Sequence, residues 1–305
     1  MIVPKGWQAL RMLGFIGRTL MALFVFDVIV AVAYLYYGQR QIALPHLPLS
    51  IGAGVIGVIL GFRNNSSYAR WWEARTLWGD VATYSRCLGR QGVAFLSGAD
   101  ETEERTRVDA ARRRLLYYQI AYVNVLRCQL RDEAPSSALD PFLTEEEIDS
   151  LRGERNVAAE IQRRMGLLLQ ECFRCGWLRE VHLGLLDNSL TALANAQGGC
   201  ERIKHTPVPK DYDYFLRLVV FGQCLLLPFG MVANLGLFTP IGASLLGFVF
   251  LALDRIGRDL EHPFCHSRHD VPMTAICRTI EINLKQSLGE TELPAPIKPV
   301  RGILR

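Results

Sequence analysis

The sequence predicts an all-α, multi-span membrane protein with an extended cytoplasmic helical region. Three observations predict it. Half of the residues are hydrophobic, so the mean hydropathy is +0.15 although 21% of residues are charged, and the apolar residues gather into four stretches. That mixture fits a few membrane spans joined to a sizeable polar part. Between the apolar stretches the pattern is that of amphipathic helices, and no period-two alternation persists long enough to argue for a strand.

The first span is expected at about 17–37. Its apolar run, Thr19 to Tyr37, holds one charge, Asp27, and ends on Tyr34, Tyr36 and Tyr37, as at a membrane interface. The run begins after residue 12, exceeds a signal-peptide core and lacks a small-residue cleavage site, so no cleavable signal is expected. The second span, about 47–63, is short and carries Gly52, Gly54, Gly57 and Gly61, residues that allow close approach between helices or around a pore. Pro48 suits a helix start, and no breaker follows Phe62, so this helix is expected to continue into the cytoplasm toward Arg90. Spans at about 214–238 and 240–255 contain Arg217 and Pro228 and are separated by Thr239 and Pro240, which predicts a hairpin or a broken span.

Lys5, Arg11 and Arg18 precede the first span, and most other Lys and Arg lie between Arg63 and Lys210 or after Arg255. With four crossings, both termini and the segments 64–213 and 256–290 are expected in the cytoplasm. The middle segment reads as helices from about Glu101 to Leu130, Val157 to Cys175, and Val181 to Gln197, the last stopped by Gly198 and Gly199. Asp270 is expected to cap a helix with Pro272 in its first turn, running to about Leu288. Residues 1–290 are read as one unit, and the proline-rich tail 291–305 as flexible. The eight cysteines are read as reduced thiols.

Several function classes are disfavoured. Basic residues are interleaved with acids, so no nucleic-acid partner is expected. No glycine-rich phosphate loop, paired catalytic carboxylates or Ser/His/Asp arrangement is apparent, so no enzyme and no cofactor are expected. Cys172 and Cys175 have metal or redox spacing but no second pair, and read as ordinary helix cysteines. His262, Cys265, His266 and His269 are weak candidates for a transition-metal site, because their spacing fixes no tetrahedral set. Asp27 reads equally as a pathway residue or as a carboxyl hydrogen-bonded to a neighbouring helix. At least one of Trp71, Trp72 and Trp78 is expected to pack between helices, and Arg112, Arg113 and Arg114 to form a solvated face.

Gly54, Val58 and Phe62 are four apart and share one helix face. An apolar stripe that leads into a polar extension can line a pore, with a dewetting constriction at Val58 and Phe62. Spacing alone favours the commoner alternative, a helix contact through small residues.

The segment from Gly61 through Arg63-Asn64-Asn65-Ser66-Ser67-Tyr68, Arg70-Trp71-Trp72-Glu73-Ala74-Arg75 and Leu77-Trp78-Gly79 resembles the bestrophins in their bacterial branch. Further similarities follow in order: Gly184-Leu185-Leu186-Asp187-Asn188, Gly198-Gly199-Cys200-Glu201-Arg202, Thr206-Pro207-Val208-Pro209, Leu227-Pro228-Phe229, Thr239-Pro240, Pro263-Phe264 and Asp270-Val271-Pro272-Met273. They extend from about Trp7 to Gly289. The resemblance implies a homopentamer in membrane lipid with one central pore for monovalent ions. It places the pore neck at Gly54, Val58 and Phe62 and a cytoplasmic aperture at Val181. It favours cations, as in bacterial members, with an anion-selective channel of the same architecture as the alternative. Gly54 departs from the bulkier residues usual at its position. The stretch Cys265-His266-Ser267-Arg268-His269-Asp270 lacks the acidic run that binds calcium in animal members, and calcium needs six to eight oxygen ligands, so no calcium site is expected. A secondary transporter and a metal-dependent membrane enzyme are the rival classes; the first usually shows repeated halves, and no repeat is apparent.

Overall fold

The computed structural model describes residues 9–98, 102–207, 209–267, 269–300, 302 and 304. Lys5, Trp7, Glu101, Val208 and Arg268, which entered the sequence reading, lie outside the described residues. The described residues form helices joined by turns and extended segments and contain no β-strand. The chain divides into two compact units, one within Pro4–Trp71 and Pro207–His262, the other within Trp72–Thr206 and Pro263–Arg305.

The first unit holds the apolar helices. Helix α1, Ala9–Leu35, buries Ile16, Leu23, Asp27, Val30 and Ala31 and leaves Met21, Val25 and Ile29 exposed. Tyr36 and Tyr37 follow its end and are exposed. A 3-10 turn, Arg40–Ile42, leads to α2, His46–Phe95, with Pro48 in its first turn, where its missing N–H costs nothing. Helix α8 is Lys210–Leu235 and contains Pro228; α9 is Thr239–Glu261 and has a proline at its start, the placement a helix N-terminus tolerates. A 3-10 turn, Gly236–Phe238, separates α8 from α9, and Gly236 has φ +51°, a backbone region that favours glycine. The apolar core joins Leu23, Ile56, Leu60, Leu216, Val220, Cys224 and Phe250. By length and composition, Ile16–Leu35, Arg40–Phe95 and Asp211–Glu261 are long and apolar enough to cross a membrane, the last run containing both α8 and α9.

Helix α2 does not stop at the span. No breaker follows Phe62, and the helix runs on to Phe95, passing into the second unit. That unit contains α3 (Thr102–Leu130), α4 (Ser136–Leu139), α5 (Glu145–Ser150), α6 (Val157–Arg174), α7 (Glu180–His205) and α10 (Met273–Ser287). Its core gathers Trp78, Leu88, Leu115, Tyr122, Ile161, Met165, Leu186, Leu193 and Ile280.

Two sequence expectations need correction. Gly198 and Gly199 do not end α7, which continues to His205. Glycine inside a helix costs only about 1 kcal/mol relative to alanine. A side-chain carbon on Gly199 would come within 2.8 Å of Leu77, so the residue is small because α7 packs closely there. Asp270 does not cap α10, whose N-cap is Pro272 with no side-chain hydrogen bond; its carboxylate accepts from the Ser267 hydroxyl instead.

Candidate functional site

The rotation of α2 follows from its residues. Ile56, Leu60, Arg63 and Ser67 recur every three or four positions and form its buried stripe, with Leu60 at 0% exposure and Arg63 at 4%. Gly54, Val58 and Phe62 fall on the opposite side. Val58 is 58% exposed and Phe62 70%, and a Cβ added at Gly54 would meet nothing within 4 Å. The structure therefore brings the three expected neck residues onto one open apolar face of a single helix, away from its own unit's core.

Spacing did not reveal what holds that face. Arg63 donates from Nη1 to Asp254 Oδ1 at 2.8 Å and from Nη2 to Asp213, with Glu261 Oε2 3.5 Å away. Asp254 also accepts Arg258 at 2.7 Å, and Arg217 lies 3.7 Å from Asp213. The network ties α2 to the first turn of α8 and the last turns of α9. Removing one partner of such a buried pair leaves an uncompensated charge and costs roughly 3–5 kcal/mol. Asn64 lies directly against Gly257, and Arg70 Nε donates to the Glu261 carbonyl at 2.9 Å. A sequence signal existed: Arg63 is three residues from Leu60 and seven from Ile56, and so shares their face.

Val181, the expected aperture residue, lies in the first turn of α7, within the second unit, and is 74% exposed. Behind it Leu178 and Leu186 are buried, and the neighbouring His182 ring stacks on Phe95 at 4.3 Å with 12° between planes. From Glu180 to Cys200, α7 carries Glu180 and Asp187 and no lysine or arginine.

The weak metal candidates do not converge. Among the described residues no group of three or more His, Cys, Asp or Glu is placed to hold a metal ion. His266 adopts φ +60° and pairs with Glu133 at 2.8 Å, while Cys265 is exposed. Asp270 is buried, which pushes its carboxyl above the usual range. Cys172 is buried and Cys175 exposed; burial pushes the Cys172 thiol up to about 11.

The other residues singled out divide between packing and surface. Asp27 is buried and accepts from the Ser244 hydroxyl of α9 at 3.2 Å, the neighbouring-helix arrangement. Trp78 is buried, whereas Trp72 is 55% exposed and Trp71 stacks on Tyr68. The arginine run is more engaged than a solvated face: Arg112 reaches the Leu96 carbonyl and Asp109, and Arg114 pairs with Glu147.

The family model described as Bacterial/Fungal Bestrophin protein matches residues 9–286. The Escherichia coli K12 protein named voltage-dependent anion channel-forming protein YneE is 34% identical over 286 residues, covering 94% of this chain and 91% of its own. A Mesorhizobium japonicum protein, also named voltage-dependent anion channel-forming, is 32% identical over 243 residues, covering 80% of this chain and 75% of its own. The crystal structure of a bacterial bestrophin homologue from Klebsiella pneumoniae matches with TM-score 0.82 and 34% identity, covering 90% of this chain and 98% of that one.

Proposed function

Because the chain belongs to the bestrophin family, we propose that five copies of it surround one pore, with α2 of each copy lining a membrane neck at Gly54, Val58 and Phe62. It is an ion-channel protein of the membrane and not an enzyme. The observation that carries the pore assignment is the open apolar stripe on α2, opposite the buried stripe of Ile56, Leu60, Arg63 and Ser67. One such helix cannot enclose a lumen, whereas cyclic symmetry lets identical helices do so. Exposed Phe215, Leu218, Phe221, Ile241, Leu245 and Val249 on α8 and α9 give lipid an apolar surface.

In this reading the chain crosses a bacterial inner membrane four times, through α1, the first part of α2, α8 and α9. Both termini and the two polar helical segments are cytoplasmic, following the distribution of Lys and Arg. Residues 1–290 work as one channel subunit, with 291–305 as its tail, and Val181 forms a second narrowing. Ions pass passively, and an apolar neck sorts them by width more than by charge.

Monovalent cations are the preferred ions, a reading supported by the resemblance to the bacterial branch of the family. The second reading is anion conduction, favoured by the names of the Escherichia coli and Mesorhizobium relatives. Purified protein reconstituted in planar bilayers under a potassium chloride gradient tests both. A reversal potential on the potassium side supports the first reading, and one on the chloride side replaces it with the second. A stable monomer or dimer by mass measurement, or absence of current, refutes the channel assembly.

A further inference from the structure

The buried stripe of α2 contains one residue that an inward face does not call for. Ile56, Leu60 and Ser67 are apolar or small; Arg63 is a full charge at 4% exposure. Its partners lie on two other helices, Asp213 in the first turn of α8 and Asp254 with Glu261 near the end of α9. Those carboxylates are themselves shared, Asp254 with Arg258 and Asp213 with Arg217.

Ile56 and Leu60 select the face that α2 buries, but an apolar side chain at position 63 would add no angular restraint within that face, because hydrophobic contact is non-directional. A guanidinium is a planar fork whose donors point in set directions. Turning α2 by one residue, about 100°, would carry the fork away and leave buried Asp254 with one partner fewer. The neighbouring contacts enforce the same register. A side-chain carbon at Gly257 would collide with the Asn64 amide, and Arg70 holds the Glu261 carbonyl further along the helix. Fixing register is the best-attested use of a buried ion pair.

We propose that Arg63 is the positioning residue of the neck: its fork on Asp213 and Asp254 fixes the rotation of α2 so that Phe62, the preceding residue, faces away from α8 and α9 and into the pore. The proposal rests on the pore reading above. An arginine with a merely structural role would lower stability on removal without changing which side chain faces the lumen.

Cysteine reporters at Gly57 and Phe62, which are five residues and so about 140° apart on the helix, separate the two roles; a Cβ at Gly57 meets nothing within 4 Å. The measurement is the rate at which a water-soluble methanethiosulfonate reagent changes the current of each assembled channel in bilayers, above the rate set by the native cysteines. With Arg63 present, Phe62→Cys is expected to react at least about tenfold faster than Gly57→Cys, since only Phe62 lies on the face that lines the lumen. Adding Arg63→Met is expected to bring the rates within about threefold of each other, and Arg63→Lys, which keeps charge but loses the fork, is expected to lose most of the difference as well. If neither reporter reacts above background, the pore reading fails and this proposal with it. If Phe62→Cys reacts and Arg63→Met lowers the melting temperature but leaves the rate ratio unchanged, the pore reading stands and the positioning role is overturned. Should Arg63→Met fail to assemble, Asp254→Asn removes one arm of the fork and is read in the same way.

Discussion

Replacing Phe62 by alanine separates a pore-facing phenyl from a packed one. A phenylalanine truncated in a well-packed core costs roughly 3–5 kcal/mol through lost contacts and the cavity left behind. Phe62 keeps 70% of its surface open on its own chain, so under a third of those contacts are made there. The same truncation should then cost the subunit only about 1 kcal/mol. Leu60, two residues back, is fully buried, and Leu60→Ala should cost roughly 2–5 kcal/mol. On the lumen side the effect reverses. A ring of phenyl groups narrows the passage and strips water from passing ions, so removing it lowers a desolvation barrier without adding charge. Single-channel recording and melting of the assembled protein check both sides. Phe62→Ala should raise conductance or open probability, leave the reversal potential nearly unchanged and melt close to wild type, whereas Leu60→Ala should destabilise without increasing current. Folded, assembled Phe62→Ala with unchanged or lower conductance, or with the instability of Leu60→Ala, would defeat the pore assignment.

Gly54→Ile should reduce current by narrowing the outer neck; a Cβ there meets nothing within 4 Å in the subunit, so normal melting with lower conductance is the signature. Currents should be equal in chelator and in micromolar calcium, because Asp270 is the only carboxylate between Cys265 and Asp270, and steep activation would reveal a site elsewhere. Arg163, together with Arg164, holds the Glu160 carboxyl at about 2, below its ordinary 4.5, so this stabilisation is complete above about pH 4.5 and lost as pH falls toward 2. Melting curves of wild type and Glu160→Gln should accordingly converge at low pH, and a constant separation would contradict the pairing. Thiol reagents should modify the exposed Cys175 rapidly and leave Cys200 and Cys277, both buried and pushed up to about 12, unmodified until unfolding, as mass spectrometry can follow.

The sequence showed the helical class and the long run of α2 plainly, because apolar clustering and the lack of a breaker after Phe62 are local signals. It misled where a local signal served a distant purpose. Gly198 and Gly199 look like a helix stop, but Gly199 is small because Leu77, far back in the chain, presses against it. Asp270 looks like a cap, but Ser267 engages its carboxylate. One local signal went unused: Thr144 and Glu147 form a reciprocal capping box that starts α5 and could have been found from their spacing.

The candidate site divides along the same line. The spacing of Gly54, Val58 and Phe62 put them on one face, yet spacing cannot distinguish a face turned to a partner helix from one left open. Burial resolves the direction, since Ile56 and Leu60 occupy the opposite side. Arg63 was hidden by its own plausibility. An arginine at the end of an apolar span reads as a cytoplasmic flank, and its acidic partners lie some 150 and 191 residues further on. Its helical phase was the overlooked clue. A residue on the inward stripe must either be apolar or bring its own counter-charges, and Asp213, near the start of α8, with Asp254 and Glu261, toward the end of α9, were the charges available to meet it.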